Sequence, residues 1–411
     1  MTAADEPAGR WRQLAILAFG LLLAMAPWFS SAAVAPVIRD EWQATGLELP
    51  LLTVVVQLGF AAGAIGLAAI AAPDVIPGNR LIAAGAVVAA LANLGFGLLA
   101  TGPASAIPFR LVTGAALAAV YPVAMKVATG WFRRERGLAI GILIGALTVG
   151  SALPYLFRAL GAYAGLEWRP IVALASVAAL VGAVAIGLGA RPGPFDARAP
   201  RFSPAVAASA FRERSVRLAN LGYLGHMWEL YAMWTWIPIF LVASFAAAGL
   251  DDPAVASQAA FAVVGAGGLG CVAAGAVADR VGRTTTTISA MAISGSSAVV
   301  AGVLFGAPPA VIVLVGLVWG VSVVADSAQF SSAVSELAPL GTAGSALSVQ
   351  VASGFLLTGV TILGIGLLDP ADAAAWRLAW GVLALGPLVG IVAMWRLRGL
   401  PEAKRMASGH R

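Results

Sequence analysis

Apolar residues run along this chain in long unbroken blocks, each bounded by a few polar or charged positions. Twelve such blocks can be marked, at 13–37, 49–72, 81–101, 104–128, 137–158, 169–190, 217–246, 255–278, 286–306, 309–334, 343–367 and 376–396. A block of about 20 apolar residues is the length an α-helix needs to cross the hydrocarbon core of a bilayer. The blocks do not alternate between apolar and polar, and they are rich in Ala, Leu and Gly, which excludes a membrane β-barrel. The pattern therefore predicts twelve transmembrane helices. The first follows Arg10-Trp11-Arg12, is longer than a signal-peptide core and lacks a cleavage site, so it reads as a retained helix.

Between the sixth and seventh blocks lies a long polar connector, 191–216, with Arg-Pro-Gly-Pro, then Phe202-Ser-Pro and a basic, partly amphipathic segment. The halves on either side echo each other. Trp168-Arg169 opens block six, and Trp376-Arg377 opens block twelve 208 residues later. The same shift carries Asp279 to position 71, close to Asp74 in the loop after block two. Such spacing predicts two related bundles. The expected fold class is all-α integral membrane, with a six-helix bundle over 1–190, a connector over 191–216 and a second six-helix bundle over 217–411.

Composition agrees with lipid as the solvent. Hydrophobic residues make up 60% of 411 positions and charged residues 11%, against roughly 25% charged in soluble domains. The net charge of +6 does not point to nucleic acid, because the basic residues sit at block ends. With the N-terminus inside, one set of loops and tails holds 19 Lys and Arg, including Arg134, Arg198, Arg201 and Arg411, and the opposite set holds 4. This bias predicts a cytoplasmic membrane protein with both termini in the cytoplasm. Two histidines and the lone Cys271 make no credible zinc site, and His410 is in the tail. There is no phosphate loop and no nucleophile–base set, so neither an enzyme nor a cofactor is expected. Gly265-Ala-Gly267-Gly-Leu-Gly270 matches the dinucleotide fingerprint but lies inside an apolar block. Small residues there suit close helix packing instead.

Ionisable residues inside the blocks cost about 2.5–3.5 kcal/mol each on insertion scales, so each is a candidate site. Arg110 lies in block four, and at ~100° per residue Gly114, Ala118, Tyr121 and Met125 share its face. A guanidinium there would hold a carboxylate bidentately or pair with a neighbouring helix. Lys126 falls on another face near the block's end and reads as a snorkelling lysine, with Pro122 a possible kink. Block seven carries Tyr223-Leu-Gly-His226-Met-Trp228-Glu229. His226 and Glu229, three apart, share a face and form a titratable pair beside aromatic bulk. Glu229 is a candidate for carrying a coupling proton, and Tyr223, His226 and Trp228, with Arg110, Tyr121 and Gln329, for a substrate pocket; the alternative is a hydrogen-bonded pair packed among rings. Asp326 in block ten, with Gln329 on its face, is a second proton site or a basic residue's partner.

Three segments together resemble one family. Gly275-x-x-x-Asp279-Arg280-x-Gly282-Arg283 resembles the loop signature of the major facilitator superfamily in its second copy. Arg110-x-x-x-Gly114 is similar to its fourth-helix motif, and Trp131-Phe132-Arg-Arg-Glu135-Arg136-Gly137 to its passage from helix four to five. The first loop copy, Asp74-Val-Ile-Pro-Gly78-Asn79-Arg80, lacks the Asp-Arg pair, Thr285 replaces a usual basic residue, and span five has Gly141, Gly145, Gly150 and Pro154 without the exporters' Gly-Pro pair. No motif fixes a subfamily; the general style is similar to that of cyanate- or nitrate-type small-solute porters. The resemblance implies a monomeric secondary transporter working by alternating access on a small solute, with an anion preferred on the strength of Arg110 and a proton as driver. A proton-driven exporter of amphipathic compounds and a non-transporting sensor are the alternatives. It also implies a cytoplasmic latch: Asp279 at the N-terminus of span five near Gly137, with Arg280 and Arg283 meeting Glu135 or lipid head groups.

Overall fold

The computed structural model describes residues 7–44, 46–133, 135–196 and 203–410. Arg134, Arg198, Arg201 and Arg411 of the charge count, and Phe202 of the connector, lie outside the described residues. Every regular element among those described is helical. In chain order they are α1 (Arg10–Ala24), α2 (Ser30–Glu41), α3 (Glu48–Ala69), α4 (Ala72–Val75), α5 (Gly78–Leu99), α6 (Pro103–Leu117), α7 (Tyr121–Thr129), α8 (Arg136–Tyr163) and α9 (Trp168–Gly189). Then come α10 (Pro204–Ala210), α11 (Arg214–Ala247), α12 (Pro253–Val281), α13 (Arg283–Val303), α14 (Pro309–Ala325), α15 (Ser327–Leu337), α16 (Ala343–Leu368) and α17 (Ala373–Arg398), followed by two short 3₁₀ turns in the tail.

Three of the expected continuous spans are broken. Span one divides into α1 and α2 around Pro27, span four into α6 and α7 at Ala118–Val120, and span ten into α14 and α15 at Asp326. Proline explains the first two, because its ring removes an N–H and collides with the carbonyl four residues back. Pro122 does this to Ala118 from the start of α7. Asp326 ends α14 and precedes α15 without a proline. Shifted by the same 208 residues, Ala118 falls on Asp326, so two of the breaks are repeat mates. The charged turn at 279–283 is also shorter than the sequence suggests. α12 runs through Asp279 and Arg280 to Val281, and Gly282 alone turns the chain into α13, at a φ of 96° that favours glycine.

Several helix pairs approach closely at a glycine. A Cβ on Gly114 of α6 would lie 1.9 Å from the Val56 carbonyl of α3, and one on Gly270 would lie 2.1 Å from the Val321 carbonyl of α14. The glycines of the false nucleotide motif are thus packing residues. Gly114→Ala is expected to push α3 and α6 apart at a cost of about 1–3 kcal/mol or more, read as a lower unfolding temperature in detergent; an unchanged temperature would mean the contact is loose.

Two six-helix bundles meet along two seams. α8 lies on α12 through Gly137, Gly141 and Gly145 against Gly275, Cys271 and Gly268, and α3 lies on α16. The first described residues, the start of the connector and the tail gather on one side, the terminal side, where Arg10 meets Glu135, Arg191 donates to Gln13 and Ala407 to Glu336.

Candidate functional site

Between the bundles a cavity of about 690 Å³ opens on the terminal side. Tyr121 and Met125 of α7, Ile140 and Ile144 of α8, and a ladder of Ser327, Ser331 and Ser335 along α15 form its walls. Its wider end carries three cations, Lys126, Arg136 and Arg283, and three carboxylates, Asp196, Asp279 and Glu336. The two breaks related by the repeat place α7 and α15 opposite each other across it.

The other side is closed. Trp28, Phe29 and Phe60 of the first bundle meet Tyr231, Trp234 and Phe355 of the second, with ring centroids 4.6 to 6.0 Å apart. Thr358 donates to Gln57 Oε1 across the same seam, and Tyr155 donates to the Trp234 carbonyl at 2.8 Å. Further out, Glu41 at the end of α2 accepts from the Trp168 indole and from Arg169; the indole bond, aided by the Arg169 bond and charge, holds its carboxyl below the usual range although burial pushes it up.

His226 and Asp326 stand behind the inner end of the cavity, both buried. His226 Nδ1 lies 2.9 Å from Asp326 Oδ1, an ion-pair distance, although that oxygen accepts no well-aligned hydrogen bond. On the imidazole's other side Nε2 shares a proton with Ser327 Oγ at 2.8 Å, and Ser327 lines the cavity. A line of exchangeable groups therefore runs from the cavity wall to a buried carboxylate. Glu229 is one turn along α11 from His226 and does not line the cavity. It accepts from Ser294 Oγ and from Trp319 Nε1, each at 2.8 Å.

Arg110 lies elsewhere. Its guanidinium is fully buried against the break in span one, where Nη1 donates to the Pro27 carbonyl, Ser30 Oγ and Asn93 Oδ1, each at 3.0 Å, and Nη2 to the Trp28 carbonyl at 2.6 Å. Its expected face-mates Tyr121 and Met125 line the cavity and Arg110 does not, because the break at Ala118–Val120 resets the helical phase. Tyr223 packs its ring on Gly354 and Phe330, and Trp228 donates to the Val382 carbonyl of α17 at 2.9 Å; neither lines the cavity. Gln329 accepts from Arg283 Nη1 at 2.8 Å.

The charged loop makes contacts with partners different from those expected. Asp279 does sit at the start of α8, with Oδ2 3.1 Å from the point a Gly137 Cβ would occupy. Arg283, however, grips Glu336 of α15 with two bonds of 2.7 and 2.6 Å, and Glu135 pairs with Arg10 at 2.9 Å. Arg280 is exposed. Glu336 also accepts from the Ala407 amide of the tail. In the first bundle Lys126 holds Asp74 at 2.6 Å and the Pro73 carbonyl at 2.7 Å. Each interspan loop is thus tied to the short half of a broken span, with the signs of charge exchanged. Glu336 carried no signal in sequence, being one carboxylate near a block end.

Comparison with known proteins gives one family. The Major Facilitator Superfamily profile matches residues 17–362. The chain is 28% identical over 179 residues to the MFS-type transporter pytF of Aspergillus terreus, covering 42% of this chain and 56% of that protein. It is 27% identical over 180 residues to the MFS transporter asaE of Aspergillus flavus, covering 43% and 39%. The matches thus span about half or less of those relatives. Among solved structures, the xylose transporter XylE from E. coli in a partially occluded inward open conformation superposes with a TM-score of 0.73 at 14% identity, over 95% of this chain and 98% of that one. A bacterial homologue of the human lysosomal transporter Spinster, inward-facing and occupied, gives 0.70 at 15% identity, over 96% and 97%. At these identities the likeness is one of fold.

Proposed function

The chain belongs to the major facilitator superfamily, a family of membrane solute transporters, and from that premise we propose that it carries a small polar solute across the cytoplasmic membrane by alternating access, driven by a coupled proton. The observation that carries this reading is the cavity between the bundles, open on one side and sealed on the other by the rings around Trp28 and Tyr231. The excess of Lys and Arg on the terminal side supports an opening towards the cytoplasm. Serine hydroxyls and Tyr121 offer donors and acceptors to a solute along the inner wall. Three cations face three carboxylates at the wide end, so the lining supplies no net field for an anion, and Arg110 is occupied at the span-one break. We therefore read the cargo as polar and uncharged rather than anionic.

The proton's place in this reading is the His226–Asp326 pair, reached from the cavity through Ser327. Glu229, the next ionisable group on α11, is its second station. Rocking of the bundles would part the aromatic seal while closing the cavity mouth, where Arg283–Glu336 and Lys126–Asp74 hold the short half-helices to their loops.

The test uses Ser331→Cys in a background where the buried Cys271 is replaced. A membrane-impermeant thiol reagent should label this site from the cytoplasmic face in the state described here. A solute that raises the unfolding temperature of the purified protein should slow the labelling, and the same solute should cross proteoliposomes. Absence of labelling from the cytoplasmic face, or a stabilising solute that neither protects the site nor crosses, would sink the proposal.

A further inference from the structure

A second cavity, of about 370 Å³, lies away from the transport path, between the start of α11 and the end of α17 on the terminal side. Arg214 and Arg217 of α11 and Arg396 of α17 line it, and no carboxylate does. None of these three takes part in an ion pair among the described residues. Arg217 spends one nitrogen on the Phe211 and Arg212 carbonyls, at 3.1 and 2.6 Å, which ties the turn after α10 to α11. Arg214 and Arg396 are exposed and point no donor at a carbonyl among the described bonds. Three guanidinium groups around one hollow repel each other unless an anion sits between them.

The rest of the lining narrows the choice of anion. Arg214 and Leu218 are four apart, as are Arg217 and Leu221, and Arg214 and Arg217 are three apart, so the four share one side of α11. The polar members come first, at the helix end, and the leucines lie one turn deeper along the span. Leu221 is exposed and Leu218 buried, so the apolar part of the hollow opens sideways onto the surface that faces lipid. Beside them the Asn220 Oδ1 is buried with no partner. An anion with water all around it would have no use for that wall. A phosphate carrying a glycerol and acyl chains uses both parts: the phosphate oxygens accept from the arginines, a glycerol hydroxyl donates to Asn220, and an acyl chain lies over Leu221.

We propose that this cavity binds the phosphodiester head group of an anionic phospholipid. Its place on the Lys- and Arg-rich side puts it at the leaflet where such lipids present their charge. Through Arg217, which holds the turn at Phe211, the bound lipid also fixes the start of the second bundle to the connector.

The test is native mass spectrometry of the full chain released from nanodiscs of phosphatidylglycerol or of phosphatidylcholine, with an unfolding measurement in each. One phosphatidylglycerol should remain bound and raise the unfolding temperature, while phosphatidylcholine should do neither. Arg214→Gln together with Arg396→Gln should weaken retention by roughly thirtyfold, the loss expected from two basic groups at an anionic surface, while leaving the unfolding temperature in phosphatidylcholine unchanged. Should that pair fail to fold, Arg396→Glu alone should lose the lipid while the single charge change leaves the buried core untouched. Equal retention of both lipids, retention unaffected by the substitutions, or displacement of the lipid by millimolar glycerol phosphate would overturn the assignment, the last by showing a site for free phosphate.

Discussion

Arg110→Leu is expected to leave little folded protein. In the native state this one guanidinium serves four buried acceptors, the Pro27 and Trp28 carbonyls, Ser30 Oγ and Asn93 Oδ1, and its face packs at 5.4 Å from the Phe96 ring centroid. The carbonyls belong to the bend where span one stops being a helix, and in hydrocarbon a backbone acceptor without a donor has no water to turn to. Asn93 extends the network to the Val172 carbonyl and Ser176 of α9, so α2, α5, α6 and α9 are joined at this one place. Removing one member of a buried charged network costs about 3–5 kcal/mol, a large share of the 5–15 kcal/mol that typically separates a folded protein from its unfolded chain. The expected result is a sharp loss of monodisperse protein after detergent extraction, and a strongly lowered unfolding temperature for what remains. Arg110→Lys should recover only part, because an ammonium cannot span acceptors on both sides of the bend as a planar fork does. A Leu variant that unfolds at the wild-type temperature yet no longer binds a stabilising solute would return Arg110 to the substrate pocket.

That contrast shows where sequence reading holds and where it stops. Among the described residues, block length located the eleven helices that are long and apolar enough to cross, while the first block is split into α1 and α2; crossing a bilayer sets a helix length that few other constraints disturb. Asp279 beside Gly137 was also legible, because a carboxylate at a helix N-terminus and a glycine that admits it are local requirements. Pairings between helices were not legible. His226 finds its carboxylate in Asp326, a hundred residues on, rather than in Glu229 on its own face, and Glu229 turns to Ser294 and Trp319. Spacing on one helix fixes which side chains share a face. It does not fix how that face is turned towards a neighbour, which depends on contacts as particular as Gly114 against the Val56 carbonyl. The breaks at Ala118–Val120 and Asp326 add a second loss, because each resets the phase in the middle of an apolar block. Pro122 marked the first of these in advance; Asp326 gave no such sign.

The break at Asp326 is also where the largest functional effect is expected. Asp326→Asn keeps the size of the side chain and its place between α14 and α15, so the fold should survive with an unfolding temperature close to that of the wild type. What it removes is the negative charge 2.9 Å from His226 Nδ1. In the proposed coupling a proton arriving from the cavity by way of Ser327 Oγ would make the imidazole a buried cation, and with Asn beside it that cation would have no counter-charge. The loaded state then becomes too costly to form, and transport is released from the proton. In proteoliposomes, one coupled proton moving down a gradient of one pH unit supports about tenfold accumulation of solute. The variant should accumulate none, while exchange of labelled for unlabelled solute without a gradient persists. His226→Gln should give the same result, and the double variant should be no worse than either, since both single changes disable one unit. Uphill accumulation by Asp326→Asn with a normal response to the pH gradient would place the proton elsewhere, and Glu229→Gln would then be the variant to measure. A loss of exchange as well as of accumulation would make the pair part of solute binding instead, a result the Ser331→Cys protection assay would register independently as lost shielding.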